Sequence, residues 1–432
     1  MLDKYSGRQR MPSTDTVIIG AGPYGLSLAT HLKAAGVPHQ ILGQPMCAWR
    51  NYMPPGMLMR SEAFASNLCA PRRGYTLKDY CRVKGIPYQP VGMKLTLETF
   101  VDYGLWFQST LAAETRPVEV VDLRRSDDGF NLSLSDGSTL DARRVVMALG
   151  LKGFAHTPPA LQGLPDTYVS HSEKYGSLTW AAGRDIVIVG GGQSALGLAA
   201  LLNEVGASVR VLVRDQSVDW NPTPETERSF VSKMRSPDAG LGRGWRTHVL
   251  CEYPQIFHAL SPRLRKHLIE RLHGPSGAWW LHDRVVDKIP IAVGTEVRSA
   301  AIDDDKVALR VANGNGESTV TASHVIVATG FKTDMTRHTF ISKEIMDSIS
   351  LFSGGPELTS HFETTVRGLY VIGPASAQSF GPVMRFVYGA KHAAPHVALH
   401  IGNAHRSETA KIGWRDAAGQ LLEPTSERDG SL

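Results

Sequence analysis

Two short glycine-rich segments, Gly20-Ala21-Gly22-Pro23-Tyr24-Gly25 and Gly190-Gly191-Gly192-Gln193-Ser194-Ala195, constrain this chain more than any other feature. Each lies between an apolar strand pattern and a helical one. Thr16-Val17-Ile18-Ile19 leads into the first, and Leu26 to Leu32 leaves it, with Gly36 as the stop. Ile186-Val187-Ile188-Val189 leads into the second, and Leu196 to Val205 leaves it, stopped by Gly206. A strand, a turn without side chains and a helix N-terminus together make a seat for a pyrophosphate. The first glycine makes the tight turn, the second lets phosphate approach bare backbone, and the third lets the helix pack closely on its strand. Gly20, Gly22 and Gly25 fill these places in the first segment, with Pro23 and Tyr24 opening the helix. Gly190, Gly192 and Ala195 fill them in the second, with Gln193 and Ser194 at the helix start.

The chain repeats itself beyond these turns. Val118 to Val121, Phe130 to Ser135 and Val145-Val146-Met147-Ala148-Leu149-Gly150 read as a strand meander ending in an Ala-x-Gly turn. Val297 to Ile302, Val307 to Val311 and Val325-Ile326-Val327-Ala328-Thr329-Gly330 give the same order and the same close, about 130 to 140 residues after the corresponding glycine turn. Two related α/β nucleotide-binding units follow. The segment from Lys152 to Gly183, with Pro158, Pro159 and Pro165, suits a connection between them. Trp220 to Pro290 interrupts the second unit; packing is the first expectation for its Trp279-Trp280, and roofing a cleft the second. Gly368-Leu369-Tyr370-Val371-Ile372-Gly373 reads as a buried strand completing the first unit. Beyond it, Pro382 is placed to open a helix running to about Ile401.

Composition excludes several classes. With 432 residues the chain has room for two or three domains, and no apolar run approaches the roughly 18 residues of a membrane span. The segment Met1 to Met11 is polar, so the expectation is a soluble, cytoplasmic protein. The net charge of +5 comes from basic residues interleaved with acids, which argues against nucleic acid as a partner. Cys47, Cys69, Cys81 and Cys251 have no Cys-x-x-Cys spacing, so neither a redox disulfide nor a metal site is expected.

These residues resemble the class B flavoprotein monooxygenases, the flavin-containing and N-hydroxylating enzymes. Gly190 to Ala195 is similar to the NADPH loop of the ornithine and lysine N-hydroxylases, and Ala328-Thr329-Gly330-Phe331 to their Ala-Thr-Gly-Tyr turn. His171-Ser172-Glu173-Lys174-Tyr175 resembles the tail of the flavin-containing monooxygenase signature, although Pro165 and Thr167 replace the Phe and Gly of its front. The resemblance implies an α/β fold of two Rossmann-like domains of the three-layer ββα type, with the NADPH domain inserted into the FAD domain. Residues 1–165 and 331–432 would form the FAD-binding part and 166–330 the NAD(P)H-binding part, with a helical insertion near 220–290.

It implies FAD and NADPH as cofactors, with NADH as the other option, and a C4a-peroxyflavin that passes one oxygen atom from O2 to a small polar nitrogen compound. That compound would be an amine or a nitrogen heterocycle such as urate. The FAD contacts would be Gly20, Gly22, Pro23, Tyr24, Gly25, Gln44, Trp49, Arg60, Gly150, Gly373, Phe380 and Pro382, with Trp49 stacking on the ring and Arg60 facing ring or substrate. Gln44 stands after Ile41-Leu42 where a ribose-binding carboxylate is usual, and Gly373-Pro374 replaces a Gly-Asp. The nicotinamide nucleotide would take Gly190, Gly192, Gln193, Ser194, Ala195, Gly330 and Arg214, whose guanidinium suits a 2′-phosphate. No catalytic base stands out, and His171 reads as structural. The rival readings are a reductase passing electrons to another acceptor and a nucleotide-binding redox sensor.

Overall fold

The computed structural model describes residues 11, 13–112, 114–271 and 274–420. Its first sheet is built on β1 (Thr14–Ile19), whose Val17, Ile18 and Ile19 are buried, as a strand covered on both faces requires. The glycine turn links β1 to α1 (Pro23–Ala34), and the chain returns as β2 (His39–Leu42), parallel to β1. Thr115–Arg116 (β3) extends this edge, while Val120–Ser126 (β4), Gly129–Leu134 (β5) and Thr139–Met147 (β6) run as an antiparallel meander. The second half of β6 pairs in parallel with β1 and, on its other side, with Leu369–Val371.

The second sheet is wholly parallel. Val169–His171 (β7), Asp185–Val189 (β8) and Ser208–Leu212 (β9) assemble with His324–Val327 and Ile291–Ala292 in the order Ile291–Ala292, β9, β8, His324–Val327, β7. Glu296–Asp303, Lys306–Asn313 and Gly316–Ala322 form its own antiparallel meander. The segment near 220–290 carries the helices Phe230–Arg235, Trp245–Glu252, Pro254–His258 and Pro262–Arg271. The parallel between the halves reaches atomic detail. A Cβ at Gly20 would stand 2.4 Å from the Ala148 carbonyl oxygen, and one at Gly190 2.3 Å from that of Ala328. Both glycines have φ beyond +110° (113° and 142°), so each fingerprint needs glycine for conformation and for space.

The helix expected from Pro382 to Ile401 does not form as one element. Gly381 (φ 91°) and the extended Phe386 interrupt it, leaving 3₁₀ turns at Pro382–Arg385 and Val387–Gly389 before the long helix Ala390–Gln420. That helix packs on α1 and is anchored to the first sheet by charge. Arg144 donates to both oxygens of Asp15 at 2.7 and 2.8 Å and to Glu408 at 2.5 Å, and His405 bonds Asp15 at 2.9 Å. Burial alone would raise the Asp15 carboxyl, and the bonds from Arg144, His405 and Thr16 more than reverse this, holding it below the usual value.

His171, His324, His338 and His392 are buried, and burial lowers each imidazole, His392 to about 3, with His396 and Lys391 adding to the effect there. Above pH ~6.5 these rings are neutral in both folded and unfolded chains; below it only the unfolded chain takes up the proton. Stability is therefore expected to fall as pH drops from about 6.5 toward 3, by about 2 kcal/mol at pH 5 from His392 alone. A thermal midpoint that stays flat from pH 7 to 5 would refute this.

Candidate active site

The first turn forms an open cradle. Gly25 must lack a side chain because a Cβ would lie 1.9 Å from the Gly20 oxygen, whereas a Cβ at Gly22 would meet no protein atom within 4 Å. The space over Gly22 faces the positive end of α1, where the backbone N–H groups of the first turn seek acceptors and Pro23 has none to offer. Gly150, after β6, is equally open. Gln44 is exposed just past β2. These positions remain available to a dinucleotide.

Other residues nominated for that nucleotide use their side chains differently. The Tyr24 ring is buried and its hydroxyl reaches the carbonyl oxygens of Met384 at 3.0 Å and Phe386 at 2.8 Å, so it ties the C-terminal turns to α1. Gly373 backs the same ring, 3.5 Å from where its Cβ would be. Trp49 is half-buried and packs edge-on against Phe100 at 4.9 Å. Phe380 is fully buried, stacked between Phe362 at 3.8 Å and His258 at 4.8 Å. Pro382 is buried in a 3₁₀ turn of four residues, too short for the helix dipole that its position suggested.

The second cradle repeats the first with a lid of protein. Ala195 is fully buried, Ser194 is exposed at the helix start, and Gly330 faces open space. Above Gly192 stands Pro275, whose Cβ would lie 3.3 Å from an added side chain. The Gln193 carboxamide oxygen accepts from the Ala278 N–H at 2.8 Å, so this side chain holds the loop before Trp279. Arg214 follows β9 with its side chain 81% exposed and no closer carboxylate contact than Asp215 at 3.9 Å. His171 bonds the Gly330 oxygen through Nε2 at 3.1 Å and accepts from Glu173 N at Nδ1, which fixes a neutral ring in a supporting role.

Beside the second cradle, with Pro275 in its lining, lies a cleft of about 450 Å³. One wall comes from Arg60 to Phe64, the other from Asn221 to Pro224, Gly240 to Arg243, Ser276, Trp279 and Trp280. Arg60 donates to Ser276 Oγ at 2.6 Å, and Ser276 Oγ donates to Asn221 Oδ1 at 3.0 Å, a chain that spans the cleft. Both indole N–H groups of Trp279 and Trp280 are buried without a partner, leaving donors in the wall. The tryptophans thus line the cleft. Nothing periodic in the sequence marks Asn221, Ser276 or Glu62, which the fold brings here from separate segments. Among the described residues no group of His, Cys, Asp and Glu is arranged to hold a metal ion, and no helix is long and apolar enough to cross a membrane.

Two βα units, each turning on a glycine fingerprint, define the two-nucleotide flavoprotein oxidoreductase class. The chain belongs to the L-lysine 6-monooxygenase/L-ornithine 5-monooxygenase family, whose sequence profile matches residues 13–333. Members of this family are flavin-dependent monooxygenases. Among solved structures, the ornithine N-hydroxylase of Kutzneria sp. 744, seen with reduced FAD, NADP+ and L-ornithine, shares the fold at TM-score 0.72 and 17% identity. The match covers 91% of this chain and 100% of that one. The ornithine hydroxylase of Pseudomonas aeruginosa shares it at TM-score 0.69 and 18% identity, over 91% and 99%. A ferredoxin–NADP reductase of Rickettsia akari is 23% identical over 252 residues, 56% of this chain; the chain spans 64% of that relative's length.

Proposed function

We propose that this protein is an FAD- and NADPH-dependent monooxygenase that N-hydroxylates a small amine. The observation that carries the reading is the pair of glycine cradles, the first of them open over Gly22. Gly20, Gly22, Gly25 and Gly150 with the N-terminus of α1 would hold FAD. Gly190, Gly192, Ser194, Ala195 and Gly330 with Arg214 would hold NADPH, whose 2′-phosphate the exposed guanidinium matches. Bound flavin supplies the redox chemistry, drawing electrons from NADPH and activating dioxygen.

The protein's own groups then position and shield. Trp279, Trp280 and Phe64 wall the cleft against bulk water, and the Arg60–Ser276–Asn221 chain sets the spacing between its two sides. Nitrogen, not carbon, is favoured as the acceptor atom because the family acts on lysine and ornithine amines. A reductase reading draws support from the ferredoxin–NADP reductase relative. The four cysteines are free, which disfavours its dithiol form.

The test is NADPH oxidation in air by the FAD-loaded protein, with a panel of amines and with hydrogen peroxide measured alongside. Oxidation accelerated by one amine while peroxide falls supports the monooxygenase. Oxidation that proceeds only with an added electron acceptor, whatever the amine, would transfer the protein to the reductases.

A further inference from the structure

The short turn at Pro382–Arg385, which has no helix dipole to offer, presents a side-chain charge. Pro382, Val383 and Met384 are buried, while Arg385 is exposed. The Tyr24 hydroxyl holds the backbone on both sides of Arg385, bonding the carbonyl oxygens of Met384 at 3.0 Å and Phe386 at 2.8 Å. Tyr24 belongs to the first glycine fingerprint, and Phe386 is in the lining of the cleft. The backbone of Arg385 is thus fixed beside the first cradle and one residue from the cleft. Its guanidinium has no hydrogen-bond or ion-pair partner among the described residues. Glu252, which ends the helix packed on this turn, is already answered by Lys391 Nζ at 2.6 Å and the Tyr388 hydroxyl at 2.6 Å. Surrounding protein desolvates the Arg385 charge and pushes its pKa below the ordinary value, although the side chain keeps open surface. A group that is both open and desolvated lines a hollow and not the outer surface.

We infer that Arg385 is the positive group at the pyrimidine edge of the bound flavin, beside N1 and the C2 oxygen, and that it stabilises the reduced cofactor. The inference rests on the flavoprotein reading and concerns the reductive half of the reaction, whatever the substrate. NADPH gives up a hydride, two electrons and one proton, and becomes NADP+; the flavin ring that receives it goes from neutral to one negative charge, spread over N1 and the C2 oxygen. A cation fixed at that edge therefore acts on one redox form and raises the reduction potential. A guanidinium can donate parallel N–H bonds to such a neighbouring pair of acceptors. The pyrophosphate has its own positive partner in the N-terminus of α1, so the charge that appears on reduction is the one left for Arg385 to meet.

The test compares wild type, Arg385→Gln and Arg385→Lys, each loaded with FAD, by anaerobic titration of the midpoint potential against reference dyes without substrate. Affinity of the apoprotein for oxidised FAD is read in parallel by fluorescence. Arg385→Gln is expected to lose about 30- to 150-fold in its preference for reduced over oxidised FAD, a fall of roughly 45 to 65 mV for a two-electron couple. Oxidised FAD should bind within about threefold of wild type, and Arg385→Lys should keep most of the wild-type potential. A change in that preference of less than about twofold, roughly 9 mV, would overturn the assignment. Equal weakening of both redox forms, up to failure to bind FAD, would give Arg385 to the pyrophosphate and overturn it too. So would loss of native ellipticity in both variants, which would make the residue structural, or an unchanged potential with a raised KM for amine or NADPH. All these outcomes leave the flavoprotein reading standing. A wild-type protein that takes up no FAD would end that reading and the role of Arg385 with it.

Discussion

Gly22→Val is expected to give a folded protein that purifies without flavin. Gly22 adopts φ −84° and ψ −172°, extended backbone that valine accepts readily, and a Cβ there would meet no protein atom within 4 Å. The added side chain would instead stand where a phosphate approaches the N-terminus of α1. Gly25→Ala provides the contrast, because its Cβ would stand 1.9 Å from the Gly20 oxygen and force the helix off the strand. Circular dichroism and the visible spectrum separate the two: Gly22→Val should keep native ellipticity and lose the flavin bands, while Gly25→Ala should lose both or fail to accumulate. Full flavin occupancy in Gly22→Val would remove this turn from cofactor binding.

The second large effect is expected at Arg214. Its guanidinium is 81% exposed and 3.9 Å from Asp215, so nothing in the protein competes strongly for it. A charge-assisted, forked contact to a 2′-phosphate is worth about 2–3 kcal/mol, or roughly 30- to 150-fold. Arg214→Ala should therefore raise the KM for NADPH by that factor and leave the KM for NADH within about threefold. Steady-state kinetics with both nucleotides decide it. Equal changes for the two would take the 2′-phosphate away from Arg214.

The fold was legible because its determinants are local. The Val17-Ile18-Ile19 and Ile186-Val187-Ile188 runs, each ending at a glycine with positive φ, carry strand, turn and helix within twenty residues or so, and the meanders that close on Ala148 and Ala328 repeat the plan. The cleft was not legible because its contacts are long-range. Arg60 meets Ser276 across 216 positions, and Tyr24 meets Met384 across 360, separations that leave no periodic trace.

Aromatic packing is hidden for a related reason. A sequence shows that Trp49 and Phe380 lie beside cofactor motifs, but not that Phe100 meets Trp49 edge-on or that Phe362 stacks on Phe380. Pro382 looked like a helix start because proline is favoured there. The interruption falls at Gly381, where a Cβ would stand 3.0 Å from the Phe257 ring, and at the extended Phe386, whose carbonyl oxygen accepts from the Tyr24 hydroxyl.

Whether the protein places an oxygen atom from dioxygen on a substrate nitrogen is read directly by mass spectrometry of the hydroxylated product formed by FAD-loaded protein, NADPH and the best amine of the panel under isotopically labelled dioxygen. The expected product is a hydroxylamine that carries one labelled oxygen atom on nitrogen, in amounts tracking NADPH consumed. Substrate recovered unchanged while NADPH is consumed and all labelled oxygen appears as peroxide or water would contradict it.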